Sequence, residues 1–276
     1  MLECVVNLSE GRRGEVVADL AATAGSLLLD VHSDEYHNRS VLTLAGPGGP
    51  VMDAVQALAR GAVDRLDLRT HLGVHPRIGV LDVVPWVALT GWPLHAGPLG
   101  EAVTARDAFA AWAGKALELP CFLYGAERSL PELRREAWKA LAPATGPPFP
   151  HPTAGAAAVG ARPVLVAYNL WLAEPDLDLA RQLAASLRGP AVRALAMAVG
   201  DAVQVSCNLI APEAVSPAAV FDAVATRTGV DRAELVGLVP VRVLEAIPEH
   251  RWPELDLDRS RTIEARLEQT GLDGGS

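Results

Sequence analysis

The chain has 276 residues, half of them hydrophobic, so it can form one large domain or two of ordinary size. Its formal net charge of −9 argues against nucleic acid and anionic membranes as partners. It shows neither a leader peptide nor an apolar run long enough to span a bilayer, so a cytoplasmic protein is expected.

In the first half, short apolar runs alternate with segments of helical periodicity. Pro85 is expected to end its strand early, and Thr104 with Asp107 resembles a capping box that starts a helix. The glycine- and proline-rich residues 46–50 predict a plain turn. The patterns predict strands over residues 3–7, 27–31, 40–45, 78–87 and 121–124, and helices over residues 13–24, 51–66 and 105–117.

A proline-dense stretch over residues 143–152 interrupts both periodic patterns and predicts a boundary in the chain. Beyond it, Ser216 and Pro217 are typical of a helix start, and the final residues 274–276 are expected to be loose. The second half has predicted strands over residues 164–168, 192–199, 202–210 and 235–239, and predicted helices over residues 176–187, 217–228 and 259–268.

Each half therefore has the element order β-α-β-β-α-β, with extra helices after the first half. This order predicts an α/β (α+β) fold of two ferredoxin-like βαββαβ subdomains, covering residues 1–164 and 165–276. Two sheets with helices on one face each would leave a ligand groove between them, because grooves at domain interfaces are common ligand sites.

The segment His-Leu-Gly-Val-His-Pro-Arg at residues 71–77 carries the most chemical information in the chain. Gly73 and Pro76 disfavour a helix, and the proline pushes His75 toward an extended conformation. An imidazole at such a loop-to-strand junction can face a cleft and titrate near neutral pH. His75 is therefore placed well for proton transfer.

A metal site is the first alternative for the histidines. The loop of residues 32–39 is either a solvated loop or part of a site, and it could meet His71 and His75 in the fold. Imidazoles with a carboxylate suit zinc, but Gly73 and Pro76 disturb the helical spacing and no Glu follows His71. The residues of this hypothetical zinc site are His32, Asp34, His37, His71 and His75.

Covalent catalysis and phosphate binding have weaker support. Ser9 and Ser206 lack the Gly-x-Ser-x-Gly context of a nucleophile elbow. Cys121 and Cys207 lie in predicted strands, where burial makes a thiol inert, and the three cysteines include no Cys-x-x-Cys pair. The glycines at 46–49 have neither Walker nor Rossmann spacing.

The proline-rich segment of residues 146–155 has two interpretations. Its composition favours a polyproline linker between domains. Alternatively, it forms a rigid wall that presents Phe149 and backbone amides to a planar ligand.

The chain resembles the formiminotransferase domain of the glutamate formimidoyltransferase family over nearly its whole length, without the cyclodeaminase domain of bifunctional relatives. The most specific match is the His-Pro-Arg run in its context. The matching stretches are residues 3–12 (ECVVNLSEGR), 28–31 (LLDV) with 38–39 (NR), 71–79 (HLGVHPRIG) with 81–82 (LD), 123–125 (LYG), 160–162 (GAR) with 167–169 (AYN), 204–206 (QVS) with 208–209 (NL), and 235–240 (LVGLVP).

This resemblance implies transfer of a formimidoyl group from N-formimidoyl-glutamate to N5 of tetrahydrofolate, the co-substrate, with His75 as catalytic residue. It also implies a homodimer that acts on small molecules. The net charge already argues against nucleic acid or membranes as partners, and no metal is expected. The resemblance changes the preferred interpretation of the proline-rich segment from a linker to a folate-contacting wall. The residues of that wall are Gly146, Pro147, Pro148, Phe149, Pro150, His151, Pro152, Thr153, Ala154 and Gly155.

Both substrates are polyanions, so cations must be concentrated locally in this acidic protein. Arg39, Arg77 and Arg162 are candidates, with Asn38 and His32 beside the substrates. The family usually has other residues at His32, Val6 and Ala154. These departures leave open another one-carbon folate reaction, such as 5-formyltetrahydrofolate cyclisation or formyl transfer, and a folate-binding protein without turnover.

Overall fold

The computed structural model describes residues 1–272, which form two compact units. Unit 1 consists of Met1–Thr90 and Ala96–Pro163, and unit 2 of Gly91–His95 and the chain from Val164 onward. None of the described helices combines the length and apolar character that a bilayer crossing needs. The predicted looseness of residues 274–276 concerns a segment outside the described range.

Unit 1 is built on one mixed sheet with the strand order β2-β3-β1-β4-β7-β6. The first four of these strands pair antiparallel, whereas β7 runs parallel to β4 and β6. The order β2-β3-β1-β4 confirms the predicted βαββαβ arrangement. The elements are β1 (Leu2–Leu8), α1 (Gly14–Ala22), β2 (Leu28–Asp34), β3 (Arg39–Gly46), α2 (Gly48–Arg65), β4 (Leu81–Thr90), β5 (His95–Ala96, with His95 in unit 2), α3 (Leu99–Ala116), β6 (Cys121–Tyr124), α4 (Leu130–Glu136) and β7 (Ala157–Ala161).

The two faces of this sheet differ because successive side chains of a strand point to opposite sides. On β1, Leu2, Cys4, Val6 and Leu8 are buried in one apolar core with residues of α1, α2 and α3. The alternate position Asn7 faces the other side. That second face carries the polar residues of the candidate site.

Pro85 lies inside β4 in the middle of the sheet, so the prediction that it ends the strand is wrong. β4 continues to Thr90, and Pro85 pairs with Gly160 of the parallel strand β7. On its other side β4 pairs with β1, where Cys4 pairs with Trp86 and Asn7 with Val83, and no residues between these two pairs are matched. The missing proline donor thus falls where that ladder is already interrupted.

Two helix starts in unit 1 were predicted too late. α2 begins at Gly48, inside the segment predicted as a turn. α3 begins at Leu99, so Thr104 lies within the helix and its hydroxyl donates to the carbonyl of Gly100 at 2.9 Å. The predicted capping box at Thr104 is therefore wrong. The sequence patterns also missed α4, β5 and β7.

Unit 2 repeats the same arrangement in simpler form. Its sheet has the antiparallel order β11-β8-β10-β9, again that of a βαββαβ unit. The predicted cap at Ser216 is confirmed, since its side chain accepts from the Ala219 amide. The last predicted strand lies earlier, as β11. The elements are β8 (Val166–Leu172), α5 (Leu177–Leu187), β9 (Val192–Val199), β10 (Ala202–Leu209), α6 (Pro217–Ala225), β11 (Val230–Val236), α7 (Val241–Glu245) and α8 (Ile263–Thr270).

Candidate active site

His75 lies in unit 1, in the loop that joins α2 to β4. Its Nδ1 is 2.8 Å from the carbonyl oxygen of Pro76. Because a carbonyl can only accept, this bond places the ring proton on Nδ1 and leaves the lone pair on Nε2. The His75 ring therefore offers a proton acceptor at Nε2.

The surroundings of His75 oppose its protonation. Burial is the largest cause, and the positive charges of Arg39 and Arg134 add to it, so the pKa falls from 6.5 to about 3. The imidazole is neutral at physiological pH. The ring of His37 contacts it edge-on, with centroids 5.8 Å apart. A neutral imidazole with an acceptor nitrogen fits the first half of a proton shuttle.

A buried ion cluster lies beside His75 on the polar face of the sheet, and we call it the Asp82 cluster (Asn7, Arg39, Asp82 and Arg134). Asp82 Oδ2 accepts from Arg39 Nη1 at 2.8 Å and from Arg134 Nη2 at 2.6 Å. Arg39 Nη2 also donates to Asn7 Oδ1 at 2.9 Å. Strands β1, β3 and β4 supply three members, and α4 supplies Arg134.

The Asp82 cluster carries more positive than negative charge. Burial alone would raise the pKa of Asp82, but Arg39, Arg134 and the amide of Ile78 hold it below its usual value. Asp82 is therefore ionised, and two guanidinium groups share this one carboxylate. This excess positive charge adds to burial in keeping His75 neutral, since a further positive charge nearby would be unfavourable.

Arg77 links the turn between β2 and β3, which carries His37, to the loop between α2 and β4, which carries His71 and His75. Its Nη2 donates to the carbonyls of His75 at 2.7 Å and of His37 at 3.0 Å. Its Nη1 also donates to Nδ1 of His71, whose Nε2 donates to the carbonyl of Asn38 at 2.9 Å. Arg77 thus supports the loop backbone, and its contact with substrate stays a prediction.

Asn38 completes this support. It adopts a left-handed conformation with φ of 47°, which asparagine tolerates better than most residues. Its side chain accepts from the amide of Gly11 at 2.9 Å and donates to the carbonyl of Leu72 at 3.0 Å. The loop of residues 71–77 is thereby tied both to the turn before β3 and to the segment before α1.

The proline-rich segment is not a linker, because the chain returns as β7 to the sheet of unit 1. Before the segment, Thr145 donates its hydroxyl to the carbonyl of Ala110 at 2.7 Å. At its end, His151 Nδ1 accepts from the Ala154 amide at 3.0 Å, and the Ala154 carbonyl accepts from Val80 at 2.9 Å.

The far end of this segment is thus tied to residues just after His75. The side chain of Phe149 is 62% exposed. An exposed aromatic ring on an anchored segment is available to stack on a planar ligand.

His32 lies on the same face of the sheet as Asn7, because both pair with Val41 in the antiparallel registers. Arg162 follows β7 and donates to the carbonyl of Pro163 at 3.0 Å. The predicted substrate contacts of both residues stay predictions. Within residues 1–272, no group of three histidine, cysteine or carboxylate side chains is arranged to hold a metal ion.

A cavity of about 250 Å³ in unit 1 is lined by Asn38 and His71 but not by His75. Its cations are largely paired, since Arg13 binds Glu10 and Arg65 binds Asp19. Few of the cations that line this cavity are therefore available to a ligand.

The sequence patterns missed Asn7, Asp82 and Arg134 as site residues. Asp82 had a signal, because a carboxylate within an apolar strand needs a buried partner. The sequence signal for Arg134 was weaker and concerned only its helix. Ser129 and Glu132 form a capping box at 2.7 Å, with Pro131 in the first turn, and this predicts a short helix.

The model of the formiminotransferase domain, N-terminal subdomain, matches residues 1–162 of the chain. The chain belongs to the formiminotransferase family. This confirms the resemblance that the His-Pro-Arg run indicates. Family relatives are named as formimidoyltransferases, which are transferases.

Several relatives match most of this formiminotransferase chain. The glutamate formimidoyltransferase of Streptococcus pyogenes serotype M1 is 33% identical over 95% of this chain and 97% of that protein. That of Thermoplasma acidophilum is 29% identical over 98% of each. The formimidoyltransferase-cyclodeaminase of Sus scrofa is 32% identical over 88% of this chain, which spans about half of that protein (51%).

Proposed function

We propose that the protein is a glutamate formimidoyltransferase with His75 as general acid and base. It transfers the formimidoyl group of N-formimidoyl-L-glutamate to N5 of tetrahydrofolate, the co-substrate. The observation that carries this proposal is the neutral His75 ring, whose Nδ1 is bound to the Pro76 carbonyl so that Nε2 can accept a proton. Relatives named for this activity, at up to 33% identity, support the choice of reaction.

The reaction needs one proton to move twice. N5 attacks the formimidoyl carbon, a tetrahedral intermediate forms, and Nε2 of His75 takes the proton that N5 loses. The leaving nitrogen of glutamate then needs that proton as the carbon–nitrogen bond breaks. A single histidine acting as base and then as acid contributes roughly 10²–10⁴-fold.

The Asp82 cluster favours the second of these steps. An imidazolium beside Arg39 and Arg134 is a strong acid, since the same charges lower the pKa of His75 in the resting protein. It therefore returns its proton readily to the leaving nitrogen. Holding both substrates in place can contribute a further 7–11 kcal/mol or so of barrier reduction.

We also retain the binding roles that the resemblance implies. Residues 146–155, with the exposed ring of Phe149, would contact folate, and His32, Asn38, Arg39 and Arg77 would lie near the substrates. In this proposal, residues 1–164 and 165–276 are the N-terminal and C-terminal subdomains of a cytoplasmic homodimer.

Glutamate release by the purified protein tests the function. We expect glutamate to form from N-formimidoyl-L-glutamate only when tetrahydrofolate is present, in equal amount to 5-formimidoyl-tetrahydrofolate. Glutamate release without tetrahydrofolate would indicate a hydrolase. Binding of 5-formyltetrahydrofolate without release would indicate a folate-binding protein, and its cyclisation a different one-carbon enzyme. Each of these results would overturn the proposal.

A further inference from the structure

The positive charge of the Asp82 cluster is not fully compensated. Asp82 is fully buried, and its single negative charge faces both Arg39 and Arg134. Arg39 has a second partner in Asn7, but that amide is neutral. Buried charges in proteins are normally paired, so one more anion is expected beside this cluster.

Arg134 is the member with unused hydrogen-bonding capacity. Among the described residues, its only hydrogen bond is the one from Nη2 to Asp82. Its Nε is buried and has no partner. Its side chain is 21% exposed, so part of the guanidinium is accessible to a ligand. A guanidinium has five donors in a fork that matches a carboxylate.

The position of Arg134 is specified by its helix. The reciprocal Ser129–Glu132 capping box and the proline in the first turn define where α4 begins. Leu133, next to Arg134, is buried in an apolar cluster with Phe122 and Tyr124 of β6. α4 is therefore fixed on the sheet and holds Arg134 over Asp82.

We propose that Arg134 binds the α-carboxylate of the formimidoyl donor and thereby selects an amino-acid donor over a simple amine. This inference rests on the proposed function and deepens it. In N-formimidoyl-glutamate, the α-carboxylate is attached to the carbon that bears the leaving nitrogen. That nitrogen must reach His75, so the α-carboxylate must lie beside the same ring.

The acceptor does not offer an equivalent anion. The carboxylates of tetrahydrofolate lie beyond the pterin and the aminobenzoyl group, far from N5. When N5 is at His75, these carboxylates are remote from the Asp82 cluster. The anion that neutralises the cluster during the reaction is thus the donor's α-carboxylate.

Two donors and three proteins test this assignment. The donors are N-formimidoyl-L-glutamate and N-formimidoyl-4-aminobutyrate, which lacks only the α-carboxylate. The proteins are wild type, Arg134→Gln and Arg135→Gln. Arg135 is the matched control, because it is on the same helix, is 65% exposed and pairs with Glu136.

For Arg134→Gln we expect the KM for N-formimidoyl-L-glutamate to rise about 10- to 100-fold, the effect of losing a charged hydrogen bond. The KM for the aminobutyrate donor should change little, so the preference between donors falls by the same factor. Arg135→Gln should keep the wild-type preference. Arg134→Lys, which keeps the charge but loses the fork, should lie between.

A change in kcat shared by both donors is expected, because Arg134 also acts on the pKa of His75. An equal rise in KM for both donors, or an unchanged KM preference in Arg134→Gln, would overturn the assignment. If Arg134→Gln does not fold, Arg134→Lys decides, and an unchanged preference there would count against it. Calorimetric binding of N-formimidoyl-L-glutamate separates this inference from the proposed function. A wild type that binds this donor without turnover refutes the function, and weaker binding by Arg134→Gln would still support the carboxylate site. Equal affinity of wild type and Arg134→Gln for N-formimidoyl-L-glutamate would overturn the carboxylate site.

Discussion

The two units share one four-stranded βαββαβ arrangement but bury different polar groups. In unit 1, the polar face of the sheet holds the Asp82 cluster beside His75. In unit 2, the buried carboxylate is Glu264, which accepts hydrogen bonds from the backbone amides of Leu94 and Val241. It forms no ion pair among the described residues. Burial raises the pKa of Glu264, whereas the arginines lower that of Asp82.

This contrast shows that the βαββαβ order does not by itself create the site. Unit 1 adds β6, α4 and β7 after the common arrangement, and α4 delivers Arg134. It also has a loop between α2 and β4 that Arg77 fastens around His75. A fold of this kind supplies a framework, and the chemistry depends on what is attached to it.

The largest expected effect concerns turnover in unit 1. His75→Gln should lower kcat by about 10²–10⁴-fold, because the proton shuttle is lost. Its affinity for 5-formyltetrahydrofolate should remain close to wild type, since His75 acts on the proton rather than on folate. Stopped assays and equilibrium binding measure the two quantities. Wild-type turnover in this variant would remove the functional contrast between the units.

The next effect concerns stability in unit 1. Asp82→Asn leaves the buried Arg39 and the partly buried Arg134 without their anion, so the free energy of unfolding should fall by about 3–5 kcal/mol. Denaturant unfolding measures this change. A loss below about 1 kcal/mol would mean that the cluster is not the tightly coupled group that the distances indicate.

The corresponding substitution in unit 2, Glu264→Gln, should destabilise the protein less than Asp82→Asn does. Glu264→Gln keeps the shape of the side chain but turns one acceptor into a donor facing a backbone amide. We expect a loss of about 1–3 kcal/mol in the free energy of unfolding and little change in the KM for either substrate. A larger loss than that of Asp82→Asn would reverse the comparison.

The smallest effect is a pH dependence of stability. The unfolded chain protonates His75 near pH 6.5, but the folded chain does so only near pH 3. Between these values the unfolded state binds more protons, so acidification destabilises the wild type. His75→Gln lacks this contribution, so its stability relative to wild type should improve by up to about 2 kcal/mol from pH 8 to pH 5. Parallel curves for the two proteins would contradict the depressed pKa.

Much of the framework could be predicted because its elements have strong local signals. The strand at Cys121–Tyr124, the pair Val192–Val199 and Ala202–Leu209, and the cap at Ser216 follow from apolar runs and capping chemistry. By contrast, β7 is an alanine-rich strand buried on both faces, so it has no alternation to detect.

The site was harder to predict because its members are distant in sequence. His75 could be proposed from the residues around it, whereas the hydrogen bond from the Val80 amide to the Ala154 carbonyl has no local signal. Arg134 and Asp82 are 52 residues apart and meet only through the sheet. Arg39 was predicted as a substrate ligand, which stays a prediction, but its hydrogen bonds to Asp82 and Asn7 were not foreseen. Local patterns cannot reveal such pairing.

Chemical rescue of His75→Gly tests most directly that one imidazole moves the proton. With N-formimidoyl-L-glutamate and tetrahydrofolate both saturating, the variant should be nearly inactive. Added imidazole should restore part of kcat, in proportion to its free-base concentration, because it can enter the space left by the side chain. Wild-type turnover without imidazole, or no response to imidazole in a variant that still binds 5-formyltetrahydrofolate, would contradict the account.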